Sequence, residues 1–287
     1  MNWTQYLFPG RDFFIPWRDR GGQLCPVRIL TLLLLLLPAL PLAFDAITGN
    51  LGPEPLEEAT NVTGAWALRF LMLSLAVTPL GRALAWQKIY QVRRMMGLGA
   101  MAWVLAHVAL YVVDQDAMWG KIVSEITMRF YLTIGFIAVL GMAVLSFTSS
   151  DLWVRRLGRG WKRLHRIVFV LTVLAVLHAV IQAKSNASEP LVMAGLLLWL
   201  VLWRAIPVEH AVKLWVMAAL SIAADMATAG IEFLWYGNFT NLPAARIFAA
   251  NFDMAVAPRP ALLVALIPLG CVVLIALRRL AGRRLAA

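Results

Sequence analysis

Only 14% of the 287 residues are charged, and only four are histidine. Soluble domains carry about a quarter charged residues, so an ordinary soluble enzyme is excluded. A disordered chain is excluded too, because it would need far fewer apolar residues. The two cysteines, Cys25 and Cys271, lie far apart and in no CxxC or CxxCH string. That leaves a disulfide scaffold, structural zinc and covalent c-type haem without support. No Walker loop is present, nor a GxGxxG after a strand pattern, and polar sequence is too sparse for a nucleotide-binding domain. Acidic residues are also scarce, 15 against 26 Lys and Arg, for a net charge of +11. In a membrane protein that excess belongs to the loops on one side, so it is no argument for nucleic acid.

Apolar sequence is what the chain has in quantity: 61% hydrophobic residues and a mean hydropathy of +0.76. Runs long enough to cross a bilayer, at ~20 residues each, fall near 27–46, 63–84, 96–114, 129–148, 163–183, 189–206, 211–235 and 260–279. The pattern predicts an all-α polytopic helical bundle embedded in lipid, with about eight spans. The first run does not read as a cleavable signal, since a long segment precedes it and no small-residue cleavage site follows cleanly. The seventh reads as the weakest, diluted by Asp225 and small residues.

Charge sets the orientation. With the N-terminus in the cytoplasm, 20 of the 26 basic residues fall on inner segments, and most acids, including Glu54, Glu57, Glu58, Asp114, Asp116 and Glu125, fall outside. Both termini are then cytoplasmic. The first 24 residues mix Trp3, Tyr6, Phe8, Phe13, Phe14 and Trp17 with arginines, which predicts an amphipathic anchor in the inner headgroup layer.

Three of the four histidines lie in or at the edge of spans, where ligating side chains are costly and usually functional. His210 falls in an inner loop and reads as solvated. Counting from the inner ends, His107 lies ~18 Å along the third span and His178 ~22 Å along the fifth. Two imidazoles at matching depth on different helices are what a bis-histidine b-type haem requires. Gly97, Gly99, Ala100 and Ala106 around His107 read as small enough to admit a macrocycle. A polar contact of His107 with His178 or Tyr111 is the competing reading. His165 lies at the inner edge, ~3 Å along, and about 140° around an ideal helix from His178. A second haem there would need a bulge and a partner ligand, and Arg93, Arg94, Met95 and Met96 include no histidine, so one haem or two stays open.

Arg69 and Arg129 lie near the outer depth of the proposed haem and read as a clamp for its propionates. Asp225 sits at similar depth and reads as an intramembrane charge partner, with Arg69 as its counter-ion.

The strings TGAWALRFLMLSLAVTPLGR (63–82), RRMMGLGAMAWVLAHVALYVVDQ (93–115), RFYLTIGFIAVLGMAVLSFTSSD (129–151) and RRLGRGWKRLHRIVFVLTVLAVLHAVIQAK (155–184) follow one another in order. Together they closely resemble the MsrQ (YedZ) family, haem-binding membrane subunits of bacterial periplasmic methionine sulfoxide reductase systems. That family belongs to the ferric-reductase-like transmembrane superfamily. The resemblance spans roughly residues 27–206. It implies a haem b protein with His107, His165 and His178 as ligands. It also implies electron delivery to a periplasmic molybdopterin methionine sulfoxide reductase, with quinol or a cytosolic flavin reductase as donor, and an association with FMN. Under it, the inner basic residues Arg93, Arg94, Arg163 and Arg166 become contacts for FMN or the donor; without it, the positive-inside rule suffices for them. Two departures matter. The related NADPH oxidases carry two histidines on the third span, where this chain has only His107, and they append a flavin domain that this chain lacks.

The resulting expectation is an interfacial segment (1–26), a ferric-reductase-like haem-binding core (27–206) and a two-helix C-terminal extension (207–287). Its function would be transmembrane electron transfer, with no substrate-reducing machinery of its own. The rival readings are a ferric or oxygen reductase acting at the outer haem, and a non-redox transport or assembly protein.

Overall fold

The computed structural model describes residues 16–18, 23–183, 186–253 and 258–284. The expected anchor over residues 1–24 falls outside the described residues, apart from 16–18 and 23–24. Every regular element among the described residues is a helix. Eight stretches are long and apolar enough to cross a membrane: 26–48, 55–83, 87–114, 130–147, 159–182, 188–205, 214–239 and 260–281. These are the eight expected spans. The seventh is not the weakest. It is one unbroken 26-residue helix, and the second and sixth are less apolar. Its two carboxylates, Asp225 and Glu232, leave most of the helix surface fit for lipid or packing.

The first span is two helices, α1 (Pro26–Leu36) and α2 (Ala39–Thr48), separated at Pro38. Proline lacks the N–H needed to carry the ladder through. Next come α3 (Pro55–Ala83), α4 (Arg93–Asp114) and a short helix α5 (Trp119–Met128). The chain returns through α6 (Phe130–Phe147) and turns through α7 (Asp151–Leu157) and α8 (Arg159–Arg166) into α9 (Val168–Gln182). The sixth span is α10 (Ser188–Ala205) and a single turn α11 (Val208–Ala211) follows. The extension is α12 (Leu214–Phe239), α13 (Ala244–Ala250) and α14 (Pro260–Arg284).

Two ion pairs tie helices together. Arg94, in the first turn of α4, and Asp151, at the start of α7, pair at 2.7 Å. Arg69, midway along α3, and Glu189, in the first turn of α10, pair at 2.6 Å. Helices α3 and α4 pack along one another, as do α6 and α9, and the two pairs touch each other far less. Helix α10 lies behind α3 and α9, and α12 and α14 pack on its other face. One core joins α3, α9, α10, α12 and α14 through Leu75, Leu191, Trp203, Met217 and Val264. A second joins α1, α3, α4, α6 and α9 through Leu35, Phe70, Ala100, Met142 and Leu171.

Pro79 sits inside α3 and cannot donate to the carbonyl of Leu75. Arg204 of α10 donates to that carbonyl instead. In a bilayer each freed backbone group needs such a replacement. Arg279 of α14 similarly donates to the carbonyls of Ala83 and Val212, both at 2.9 Å.

In the extension, Glu232 is fully buried (0% exposed) and accepts from Arg259 and from Asn251. The Asn251 carbonyl oxygen accepts from the Ala261 amide at 3.2 Å. This cluster ties the C-terminal part of α12 to the start of α14 across α13.

At Gly195 on α10, an added Cβ would come within 2.2 Å of Thr228 Oγ1 and 2.5 Å of Val264 Cγ2. Gly195→Ala is therefore expected to pry α12 and α14 from α10 at an overpacking cost of ~1–3 kcal/mol. Thermal unfolding of the detergent-solubilised variant would read this as a lowered midpoint. An unchanged midpoint would mean that this junction is loosely packed.

Candidate functional site

His107 on α4 and His178 on α9 are brought together. Their ring centroids lie 6.3 Å apart and their planes are 83° from parallel. His107 Nδ1 is 2.8 Å from the carbonyl oxygen of Thr60 on α3, and His178 Nδ1 is 2.8 Å from the carbonyl oxygen of Tyr131 on α6. A carbonyl oxygen only accepts, so Nδ1 carries the proton in both rings. That fixes the tautomer and leaves each Nε2 lone pair available for a metal, the usual arrangement of ligating histidine.

The distance between the rings fits one iron. Metal–imidazole bonds of ~2 Å, with each ring centre about 1 Å behind its nitrogen, place two rings on a shared metal roughly 6 Å apart. Neither Nε2 makes a hydrogen bond among the described residues. Both histidines are half-buried at the seam between the α3/α4 and α6/α9 pairs. The donor set is two neutral nitrogens on opposite walls, which suits haem iron. The competing contact of His107 with Tyr111 is not made, because Tyr111 donates to Glu125 at 3.2 Å.

His165 is arranged differently. The helix breaks at Ile167, so His165 and His178 belong to separate helices, α8 and α9. His165 reaches Thr148, just past the end of α6, and His178 reaches Tyr131 near its start. His165 stacks on Trp161, centroids 4.0 Å apart, and its Nε2 lies 3.2 Å from Thr148 Oγ1. The Thr148 hydroxyl already donates to the Val144 carbonyl at 2.7 Å, so His165 Nε2 must be the donor. Its proton sits on the nitrogen that is free in the other two. Arg94 on α4 is tied to Asp151.

The charged candidates are placed as follows. Arg69 pairs with Glu189 and lies over Trp66, 4.4 Å from the ring centroid. The expected Arg69–Asp225 pair is not formed. Glu189 opens α10, which packs directly on α3, whereas Asp225 is on α12 beyond it. No ion pair of Asp225 occurs among the described residues, and the buried intramembrane carboxylate is Glu232. Arg129 pairs with Glu125 at 3.1 Å, lies 3.2 Å from the Tyr131 hydroxyl and is largely exposed. Arg93, Arg163 and Arg166 are exposed.

Two of the small residues near His107, Gly99 and Ala100, are taken up by helix packing. A Cβ on Gly99 would strike Leu35 at 2.4 Å, and Ala100 is fully buried. They let α1 pack closely on α4. The glycines that meet the histidines are on the facing helices. A Cβ on Gly64 would lie 2.9 Å from His107 Nδ1, and one on Gly135 would lie 2.7 Å from His178 Nδ1. Sequence reasoning misses both. A usable signal is the shared spacing, a glycine 43 residues before each histidine.

Residues 63–176 match the family described as "Ferric reductase like transmembrane component". The matched stretch holds His107 and His165 and stops two residues before His178. A protein of Xanthomonas oryzae pv. oryzae named "Protein-methionine-sulfoxide reductase heme-binding subunit MsrQ" is 42% identical over 156 residues, 54% of this chain and 72% of its own. A protein of Rhodospirillum rubrum with the same name is 40% identical over 192 residues, 66% of this chain and 90% of its own. Another, from Xanthomonas euvesicatoria pv. vesicatoria, is 42% identical over 155 residues, 54% of this chain and 71% of its own. No solved structure matches the chain.

Proposed function

The chain belongs to the MsrQ family of membrane subunits, and on that premise we propose that it is an electron-transfer subunit holding haem b between His107 and His178. The observation that carries this reading is the facing pair of imidazoles, each with Nδ1 spent on a backbone carbonyl and Nε2 free. When bound, haem supplies a one-electron carrier. The chain's own residues present two neutral nitrogens, hold the rings by backbone hydrogen bonds and keep the seam largely apolar. Burial and axial nitrogen are the levers by which they set the potential.

The direction proposed is outward. The positive-inside bias puts both termini in the cytoplasm of a bacterial inner membrane, and His107 and His178 then lie toward the periplasm. Electrons would enter from quinol or a cytosolic flavin reductase and leave to a periplasmic molybdopterin methionine sulfoxide reductase. Arg93, Arg163 and Arg166 are the exposed cations available to an FMN phosphate or an acidic donor surface. Arg94 is less suited, being held by Asp151. Arg129 is the stronger propionate clamp, because it stands two residues from the carbonyl that anchors His178. Residues 27–206 form the haem-binding core on this reading, and 207–287 brace α10 from behind.

The test is a reconstitution. Purified protein in nanodiscs, reduced by a quinol or by a flavin reductase with its nicotinamide, is expected to be reoxidised by the molybdopterin subunit once methionine sulfoxide is added. Reoxidation by ferric chelates or oxygen alone, with none by that subunit, would favour a direct reductase instead. His165→Ala is expected to keep the His107/His178 haem, since His165 is engaged by Thr148. Pyridine haemochrome assay of the purified variant checks this, and complete loss of haem would contradict separate sites.

A further inference from the structure

The two haem histidines share more than their tautomer. Thr60, Gly64 and His107 become Tyr131, Gly135 and His178 when each number is raised by 71. In both sets the imidazole donates to a carbonyl on the facing helix, and the residue four positions after that carbonyl is glycine.

The physical reason lies in helix geometry. Every Cα–Cβ bond tilts toward the helix N-terminus, so a side chain at position i+4 lies over the carbonyl of position i. A side chain at 64 or 135 would cover the carbonyl the imidazole uses. The distances an added Cβ would have show the conflict: 2.9 and 3.0 Å to His107 Nδ1 and Cε1, and 2.7 and 3.0 Å to His178 Nδ1 and Cε1. Imidazole is rigid and its Nδ1 is pinned, so the ring has little room to yield. By contrast, a Cβ on Gly230, also within a span, meets nothing within 4 Å.

We propose that Gly64 and Gly135 are positioning residues for the two iron-binding imidazoles. Their missing side chains open the Thr60 and Tyr131 carbonyls, which fix each ring's proton on Nδ1 and set the near-perpendicular ring planes. This inference rests on the haem reading for its spectroscopic consequence, and on packing alone for its steric one.

Both consequences are tested with Gly64→Ala, Gly135→Ala and the control Gly230→Ala in the full chain. Imidazole planes near 90° give oxidised low-spin haem a strongly anisotropic EPR signal with one large g value. The first two variants are expected to shift that g value and the midpoint potential, and to lower haem occupancy several-fold, while Gly230→Ala matches the parent. Parent-like spectra and potentials in both would overturn the proposal. Should Gly64→Ala fail to fold, Gly64→Ala/His107→Ala is expected to restore a monodisperse helical protein, because the clashing ring is gone. Failure of that double variant, with His107→Ala alone folded, would also overturn it. This arm needs no haem, so it separates the inference from the reading beneath it: haem retained in full by His107→Ala and His178→Ala would sink the reading and leave the steric result standing.

Discussion

On the proposed reading, His107→Ala and His178→Ala are each expected to strip the purified protein of its haem and to abolish electron delivery to the proposed reductase partner. Each ring would supply one of the two nitrogens that hold the iron, and its loss would leave the opposite Nε2 to hold it alone in a half-buried seam. Losing an outer-shell partner of a metal ligand typically costs ~10–100-fold in affinity or activity, and losing the ligand itself should exceed that. The reduced Soret and α bands measure the effect directly. Circular dichroism and size-exclusion profiles should stay close to those of the parent, since both rings lie at the seam between helix pairs and outside both apolar cores. Full haem content in both variants would remove the site.

The second large effect is expected in the extension. Glu232 is wholly buried, and its partner Arg259 keeps 23% of its side chain exposed. Breaking a buried ion pair by removing one member costs about 3–5 kcal/mol, because the other charge is left without compensation. The two members are not equivalent. Arg259→Leu strands a carboxylate with only Asn251 to donate to it, whereas Glu232→Gln leaves a guanidinium that can turn toward water. Arg259→Leu should therefore be the more damaging, and Glu232→Leu/Arg259→Leu milder than Arg259→Leu alone. Thermal midpoints of the three purified variants decide the order. Equal midpoints for Arg259→Leu and the parent would mean that the pair holds nothing together.

The spans are legible because an apolar run of bilayer length is costly anywhere but in lipid, and all eight helices fall where those runs lie. Depth counting brings His107 and His178 to one level because rise per residue is fixed along a helix. Depth says nothing about which helices are neighbours. It therefore pairs Arg69 with Asp225, when Glu189, at the start of the adjoining helix, holds it. The anchoring carbonyls of Thr60 and Tyr131 are invisible in a sequence, since a backbone acceptor has no residue type. Gly64 and Gly135 escape a search for small residues on the histidine's own helix, because the clearance is needed on the helix opposite. Glu232 does not stand out beside Asp225 because its partner Arg259 lies 27 residues on, across a turn and a short helix.

The central claim is that imidazoles from two separate helices bind one iron, and near-infrared magnetic circular dichroism of the oxidised protein addresses it most directly. The charge-transfer band of low-spin ferric haem reports the axial pair. The parent is expected to show the bis-imidazole position, and His178→Met to move it to the histidine–methionine position. A band in the parent away from the bis-imidazole position, or one that His178→Met leaves in place, would contradict the account.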